Sequence, residues 1–256
     1  MAKAKSKRVL LTREDNSAVA SALVDANIDV IEIPLIKIAL ESDPADVKDV
    51  FTEMGRYDWI TFSSVNGVRG FFKEFLKYFD DIRSLGFSRI ACVGEATARE
   101  LKKYFLHADV IPQISTGEEM AKAMAEYESL ENLKVLCIIG NLAGKELFNV
   151  LEKNNAIVDA LEVYKTETAT VDSNDDAVQD FKKNGADVVV FASPSAVDSF
   201  VKNVDSLALS ASAVKPKVVS IGPKTSEAVK KYGMKVACES ATPYPDDIVN
   251  AIKTVS

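Results

Sequence analysis

Two stretches, YDWITFSSVNGVRGFF (57–72) and ADVVVFASPSAVDSFV (186–201), decide the fold because they are two copies of one pattern. Asp58 aligns with Asp187, and Ser64 with Ser193, at an offset of 129 residues. Each copy reads as a β-branched strand, a serine-rich turn and a helix whose apolar residues recur every three or four positions. The chain therefore contains a repeated strand–turn–helix unit.

Two further pairs of segments extend this repeat along the chain. IACVGEATARELKKY (90–104) matches VVSIGPKTSEAVKKY (218–232) at an offset of 128 residues, and 8–34 matches 134–163 more weakly. Strand–helix alternation of this kind is typical of parallel sheets with helices on both faces. The sequence therefore predicts an α/β protein with two similar parallel-sheet, flavodoxin-like lobes of about five strands each. Shorter predicted strands complete the sets, at 29–33, 108–112, 156–163 and 235–240.

The domain boundaries follow less directly from the repeat. IEIPLIKIAL (31–40) and LEVYKTETAT (161–170) are extended and show no helix pattern, which suggests connections between lobes. In one arrangement, the repeated segments group in chain order and form two tandem domains. In the other arrangement, 36–168 form one lobe, 1–35 with 171–256 form the second, and the extended segments make a two-stranded linker. We favour this discontinuous arrangement because of the family resemblance described below.

Composition excludes several classes of protein. A net charge of −7 and a pI near 5.0 argue against a large nucleic-acid-binding surface. No run of about 18 apolar residues is present, and MAKAKSKR is followed by too few apolar residues for a secretion signal. The three cysteines, Cys92, Cys137 and Cys238, lie in or beside apolar strands, so we expect them to be reduced and buried. These features predict a cytoplasmic protein that does not bind membranes.

The loops that follow the strands are the candidate binding site. Ligands of open parallel sheets bind beyond the carboxyl ends of the strands, and each loop here begins a helix whose free N–H groups attract anions. The alternative is plain helix capping, since Ser64 and Ser193 are good N-caps. The loops are Thr12-Arg13, Ser63-Ser64-Val65-Asn66, Gly94-Glu95-Ala96-Thr97, Gly140-Asn141, Ser193-Pro194-Ser195-Ala196 and Gly222-Pro223-Lys224-Thr225.

Other candidate motifs carry little weight. GNLAGKE (140–146) has the wrong glycine spacing for a phosphate-binding loop, and no strand is followed by a dinucleotide-binding glycine pattern. Asp58 and Asp187 begin strands, so we interpret them as structural. His107, the only histidine, precedes a predicted strand and is expected to be solvated.

Tyr164 lies in the extended segment LEVYKTE (161–167). A phenol could donate a hydrogen bond to a leaving oxygen. The alternative is a linker tyrosine whose ring only packs between lobes.

The chain resembles a known family through an ordered set of motifs: LLTRE, FSSVNGV, ACVGEATA, STGEEMA, LEVYKTE, FASPSAVDSF and SIGPKTSEAV. In this order and spacing, and over nearly the whole chain, they resemble the uroporphyrinogen-III synthases. Ile139 and Lys145 depart from the pattern, because arginine is common in the family at both places. The segment around Gly140 therefore lacks both of the arginines that are common in the family.

The resemblance implies a carbon–oxygen hydro-lyase that acts on hydroxymethylbilane, a linear tetrapyrrole carrying acetate and propionate groups. It implies loss of the terminal hydroxyl as water, ring closure with inversion of the last pyrrole, no metal or organic cofactor, and a monomer. Tyr164 matches the linker tyrosine thought to assist loss of the hydroxyl. The expected substrate-binding residues, from the family's loops and the strand ends together, are Thr12, Arg13, Ser63, Ser64, Asn66, Thr97, Ser193, Ser195, Ala196, Gly222 and Thr225.

We expect the two lobes to present these loops to a shared cleft, where amides and hydroxyls could hold a polyanion despite the net negative charge. The competing hypothesis is a non-catalytic two-lobed binding protein for a small polyanionic ligand. Tandem signalling receivers are disfavoured because the strand-end loops lack aspartate.

Overall fold

A computed structural model describes residues 6–255. The described chain forms ten strands, most of them four residues long. The strands are β1 (Arg8–Leu11), β2 (Asp29–Glu32), β3 (Ile36–Ala39), β4 (Trp59–Phe62), β5 (Arg89–Cys92), β6 (Lys134–Gly140), β7 (Ile157–Thr168), β8 (Val188–Phe191), β9 (Lys217–Ser220) and β10 (Val236–Glu239).

Ten α-helices alternate with these strands, and three short 3-10 helices occupy Met54–Arg56, Ile82–Leu85 and Lys102–Tyr104. Among the described residues, no helix combines the length and the apolar character that crossing a membrane requires. The α-helices are α1 (Ser17–Asp25), α2 (Pro44–Thr52), α3 (Val65–Tyr78), α4 (Glu95–Leu101), α5 (Gly117–Tyr127), α6 (Glu146–Lys153), α7 (Asp176–Asn184), α8 (Pro194–Lys202), α9 (Pro223–Lys231) and α10 (Pro245–Thr254).

The strands form two sheets, which correspond to two compact units except that β3 begins, and β7 ends, in residues assigned to unit 1. Unit 1 comprises the described parts of Met1–Lys37 and Glu167–Ser256, and unit 2 is Ile38–Thr166. The first sheet has the order β10-β9-β8-β1-β2, and all its pairs are parallel. Counted in chain order this is 2-1-3-4-5, the flavodoxin-like arrangement. The second sheet has the order β3-β7-β6-β4-β5, with parallel pairs from β7 to β5.

The strand orders reproduce the sequence repeat. Matching β8 with β4, β9 with β5, and the β1–β2 block with the β6–β7 block gives the same order, β9-β8-β1-β2 and β5-β4-β6-β7. The weaker match, between 8–34 and 134–163, is also seen in the backbone conformation. Asn27 after α1 and Asn155 after α6 both adopt φ 57°, a left-handed helix end that asparagine tolerates. The α/β fold class with two five-stranded parallel-type sheets is confirmed.

Both faces of each sheet are covered by apolar side chains, as parallel sheets require. In unit 2 one face carries an aromatic cluster of Phe51, Phe62, Phe71, Phe72 and Phe75, all buried. Phe71, Phe72 and Phe75 lie on α3, whose apolar stripe therefore fixes that helix against β4 and β6.

The aspartates that begin β-strand blocks have the expected structural role. Asp58 accepts a hydrogen bond from the Lys134 backbone N–H, and Asp187 accepts one from the Arg8 backbone N–H, both at 2.7 Å. Each carboxylate thus ties the start of one strand to the neighbouring strand in its own sheet.

Three expectations need correction. Residues 108–112 do not form a strand: only Val110 makes a bridge, to Ala91, and Pro112 lacks the N–H needed to continue a ladder. The fifth strand of the second sheet is instead β3, on the opposite edge beside β7. Cys238 is half-buried, in contrast to the buried Cys92 and Cys137.

Candidate functional site

The two serines that the repeat aligns are helix caps of the same geometry. Ser64, after β4, has φ −164° and ψ 161°, and Ser193, after β8, has φ −166° and ψ 159°. Ser64 Oγ accepts the Gly67 N–H at 2.9 Å, and Ser193 Oγ accepts the Ala196 N–H at 3.2 Å. The capping interpretation is therefore correct for both, and each side chain lies at the positive end of a helix dipole.

A β-bulge in β7 sets the direction of the Tyr164 side chain. Ile139 pairs with Glu162, but Gly140 pairs with Tyr164, so Val163 is an extra residue on β7. Without the extra residue, neighbouring side chains on a strand point to opposite faces. With it, Val163 and Tyr164 both pack into the hydrophobic core cluster that contains the phenylalanines of the aromatic cluster, on the α3 side of the sheet. Bulges commonly redirect side chains in this way near active sites.

The strand after the bulge is held by an asparagine. Asn141 Oδ1 accepts the Thr166 N–H at 2.9 Å, and Asn141 Nδ2 donates to the Thr166 carbonyl at 3.3 Å. The Asn141 backbone N–H also donates to the Tyr164 carbonyl at 3.2 Å. The Asn141 side chain therefore pairs with Thr166 as a backbone residue would, and the Asn141 backbone N–H holds Tyr164. Together these bonds fix β7 on both sides of Lys165.

Tyr164 and Ser64, one hundred residues apart, meet at the N-terminus of α3. Ser64 Oγ donates to the Tyr164 phenol oxygen at 3.1 Å while accepting the Gly67 N–H. The three groups form a chain that runs from the helix N-terminus to the phenol, and hydrogen bonds in such chains polarise one another. Because Tyr164 accepts from Ser64, its own O–H is left to donate to another oxygen. Tyr164 is half-buried, so solvent or a ligand reaches part of it.

The other expected residues of unit 2 differ in access. Ser63 and Asn66 flank the cap and are half-buried. Thr97 is only 3% exposed, so its side chain is buried in the first turn of α4. The strand-end position predicted for these residues is observed, but the direct contact within unit 2 is the one between Ser64 and Tyr164.

In unit 1, the residues after β1 line a small pocket together with the ends of β8 and β9. Thr12 is buried and donates to the Val190 carbonyl at 2.9 Å, whereas Arg13 is exposed. Asn16 donates to the Arg13 carbonyl at 2.8 Å and so fixes this turn. The pocket is lined by Leu11, Thr12, Arg13, Asn16, Val19, Val190, Ala192, Ile221 and Ile248.

The loops before α8 and α9 in unit 1 contain both accessible and buried residues. Ser195 is half-buried and its hydroxyl lies 2.9 Å from that of Ser193. Ala196 and Thr225 are buried, while Gly222 precedes α9 as its N-cap. These loops therefore offer two serine hydroxyls and the N–H groups of two helix N-termini.

The two buried cysteines and the histidine do not form a second site. Burial raises the pKa of the Cys92 and Cys137 thiols to about 12, which leaves them protonated and unreactive. His107 is exposed, as expected. Among residues 6–255, no group of three or more His, Cys, Asp or Glu side chains could hold a metal ion.

Together these features define a class of protein: a duplicated, doubly wound α/β chain whose strand-end loops offer helix N-termini, hydroxyls and one hydrogen-bonded phenol. Residues 17–250 match the family model described as uroporphyrinogen-III synthase HemD. The chain belongs to the uroporphyrinogen-III synthase family, and the resemblance seen in its motifs is confirmed.

Individual relatives carry related names. A porphyrin biosynthesis protein HemD of Ruminiclostridium josui is 29% identical over 92% of this chain, which spans 46% of that protein's length. A putative uroporphyrinogen-III synthase of Methanocaldococcus jannaschii is 27% identical over 89% of this chain and 90% of its own length. A chloroplastic uroporphyrinogen-III synthase of rice is 28% identical over 95% of this chain and 79% of its own length.

Solved structures share the fold at lower identity. A mutant uroporphyrinogen III synthase of Thermus thermophilus is 15% identical, with a TM-score of 0.64 over 98% of both chains. The Helicobacter pylori uroporphyrinogen-III synthetase is 15% identical, with a TM-score of 0.63 over 98% of this chain and 100% of its own. At this level of identity, the similarity to the solved structures shows a shared fold alone.

Proposed function

We propose that this protein is a uroporphyrinogen-III synthase, which cyclises hydroxymethylbilane to uroporphyrinogen III with loss of water and inversion of the last pyrrole ring. Family membership supports the reaction, and one observation carries the assignment of roles. This observation is the hydrogen-bond chain from Gly67 through Ser64 to Tyr164, which leaves the phenol O–H free to donate.

In the proposed mechanism, Tyr164 donates a hydrogen bond to the hydroxyl oxygen of the substrate. The C–O bond breaks, the bonding pair leaves with oxygen, and the oxygen takes up a proton and departs as water. The pyrroles of the substrate stabilise the cation that remains. The substituted α-carbon of the last pyrrole attacks this cation and forms a spiro intermediate. The bond from that carbon to its original methylene bridge then breaks, and the bridge carbon, now the cation, is attacked by the free α-carbon of the same ring. Loss of a proton from that carbon restores the aromatic pyrrole, so that the last ring is inverted and the net change is loss of one water.

The remaining work of the protein is to orient a flexible substrate, which can contribute several kcal/mol. We propose that the carboxylates of the substrate bind at the strand-end loops of each unit, where helix N-termini favour anions. The positively charged side chain of Arg13, the Ser193–Ser195 hydroxyl pair and the half-buried Ser63 and Asn66 support this assignment. Buried Thr12, Thr97 and Thr225 would shape these loops more than contact the substrate.

We also propose, from the family resemblance, that the enzyme is a carbon–oxygen hydro-lyase that acts in the cytoplasm as a monomer without a metal or organic cofactor. The proposed lobes are 36–168 and 1–35 with 171–256, and the two compact units support these boundaries.

The test is to incubate the purified protein with hydroxymethylbilane and to determine which isomer forms. Formation of the isomer with the last ring inverted supports the proposal. Ligand binding without turnover would instead indicate a binding protein, and closure without inversion would reject the assigned reaction.

Changing Tyr164 to Phe tests the role of the phenol with the ring retained. Hydrogen bonds to charged groups contribute about 1.5–3 kcal/mol, so we expect kcat to fall about tenfold to a hundredfold with a small change in KM. A Tyr164→Phe enzyme at full rate would remove the phenol from the mechanism.

A further inference from the structure

Gly140, the last residue of β6, lies directly against the ring of Tyr164. A Cβ atom built on Gly140 would stand 2.3 Å from Cζ, 2.5 Å from Cε2 and 2.8 Å from Cε1 of that ring. Real side chains do not approach so closely, since carbon atoms in contact lie about 3.5–4.0 Å apart. The absence of a side chain at residue 140 is therefore what makes room for the phenol.

Backbone conformation does not explain the glycine. The glycines with left-handed φ values in the described chain are Gly86, Gly185 and Gly233, and Gly140 is not among them. An L-residue could adopt the backbone of Gly140, and in a strand alanine is usually more stable than glycine by about 0.5–1 kcal/mol. The requirement at residue 140 is for space on one side of the strand.

Strand periodicity shows which side that is. Ile138 belongs to the hydrophobic core cluster that contains the phenylalanines on the α3 face, and residue 140 follows two positions later on the same face. The bulge at Val163 turns Tyr164 onto this face, opposite Gly140. The ring thus occupies the place that a side chain at residue 140 would take, and its hydroxyl lies at the N-terminus of α3.

We infer that Gly140 is a positioning residue, which seats the Tyr164 ring so that the phenol accepts from Ser64 and directs its own proton outwards. This inference rests on the proposed function, since the group that it positions is the proposed donor. A methyl group at residue 140 would force the nearest ring atom to move by about 1.2 Å to reach normal contact. The hydrogen bond to Ser64, already 3.1 Å long, has little room for such a shift.

Kinetics of Gly140→Ala test the inference. A misplacement of about 1 Å can cost up to about a hundredfold in rate, so we expect a fall in kcat similar to that of Tyr164→Phe, with KM changed less than about twofold. In Gly140→Ala/Tyr164→Phe we expect no further loss, because both changes disable the same group. The matched control is Gly55→Ala in the same unit, where an added Cβ meets nothing within 4 Å. Wild-type kcat in Gly140→Ala, or full additivity in the double variant, would overturn the inference.

A second measurement does not depend on catalysis. With ¹³C at Cζ of the seven tyrosines, the Tyr164 signal is identified by its loss in Tyr164→Phe. We expect Gly140→Ala to shift this signal and Gly55→Ala to leave it unchanged. Gly140→Ala should also destabilise the protein when Tyr164 is present but not in a Tyr164→Ala background, where the ring is gone.

The two readouts separate the possible failures. Full activity of Tyr164→Phe with a shifted Tyr164 signal in Gly140→Ala would reject the catalytic role of the phenol and uphold the seating of its ring. An unshifted Tyr164 signal in Gly140→Ala would show that Gly140 does not position the Tyr164 ring. The same conclusion would follow if Gly140→Ala changed stability equally with Tyr164 and with Tyr164→Ala.

Discussion

Replacing Ser64 by alanine removes two hydrogen bonds with different consequences. The first is the cap on the Gly67 N–H, and loss of a serine cap costs about 1 kcal/mol of stability. The second is the bond donated to Tyr164, and a net hydrogen bond contributes about 1 kcal/mol. If that contribution is expressed fully in the transition state, kcat falls about fivefold.

The two effects are measured separately, by thermal unfolding and by the rate of hydroxymethylbilane cyclisation. One kcal/mol corresponds to about 2–4 °C in Tm for a protein of this size. Thr116→Ala is a matched control, because Thr116 caps α5 in the same unit by accepting the Glu119 N–H at 3.2 Å. We expect Thr116→Ala to lower Tm by a similar amount and to leave kcat unchanged.

The reasoning fails if Ser64→Ala loses stability but keeps wild-type kcat, because the hydrogen bond to Tyr164 would then have no catalytic effect. Equal losses of kcat in Ser64→Ala and Thr116→Ala would instead attribute the effect to loosening of the unit. In a Tyr164→Phe background, Ser64→Ala should lower kcat no further.

Two other predictions concern stability. Phe71 is fully buried in the aromatic cluster, so Phe71→Ala should lower the free energy of urea unfolding by about 3–5 kcal/mol. Phe87 is exposed, so Phe87→Ala should change that free energy by less than about 0.5 kcal/mol. Similar losses in both variants would contradict the assigned core. Burial acts to raise the pKa of Glu100, but hydrogen bonds from Arg69 and Lys103 outweigh it and the net pKa is lowered. The charged Glu100 carboxylate therefore stabilises the folded protein above the pKa of the unfolded state, and this stabilisation is lost as the pH falls through the pKa of the folded state. From pH 6 to pH 3, the free energy of urea unfolding should fall more in the wild type than in Glu100→Gln. Parallel pH profiles of the two proteins would refute this assignment.

Much of the fold could be predicted from the sequence, because the repeat pairs local strand–helix patterns that form with little help from distant residues. The caps at Ser64 and Ser193 follow from a serine placed between a strand and a helix, and both are observed. The exception is 108–112, where local apolar alternation suggests a strand. Val110 makes one bridge to Ala91 and the chain then leaves the sheet at Pro112.

The site could be predicted only in part. Tyr164 and Ser64 were each recognised by residue type and motif, but nothing local shows that they touch. The sequence identifies Gly140 only as part of a loop that follows a strand, and not as a neighbour of Tyr164. The position of a glycine after an apolar strand is a weak signal by itself, since most such glycines serve turns.

The sequence by itself determined that the protein has two related α/β units and which loops end their strands, because periodicity and capping act over a few residues. Only the tertiary structure decided that the Tyr164 phenol accepts a hydrogen bond from Ser64 while its ring packs against Gly140. That contact depends on a one-residue shift in the pairing of β6 with β7, and strand register is fixed by packing between distant segments.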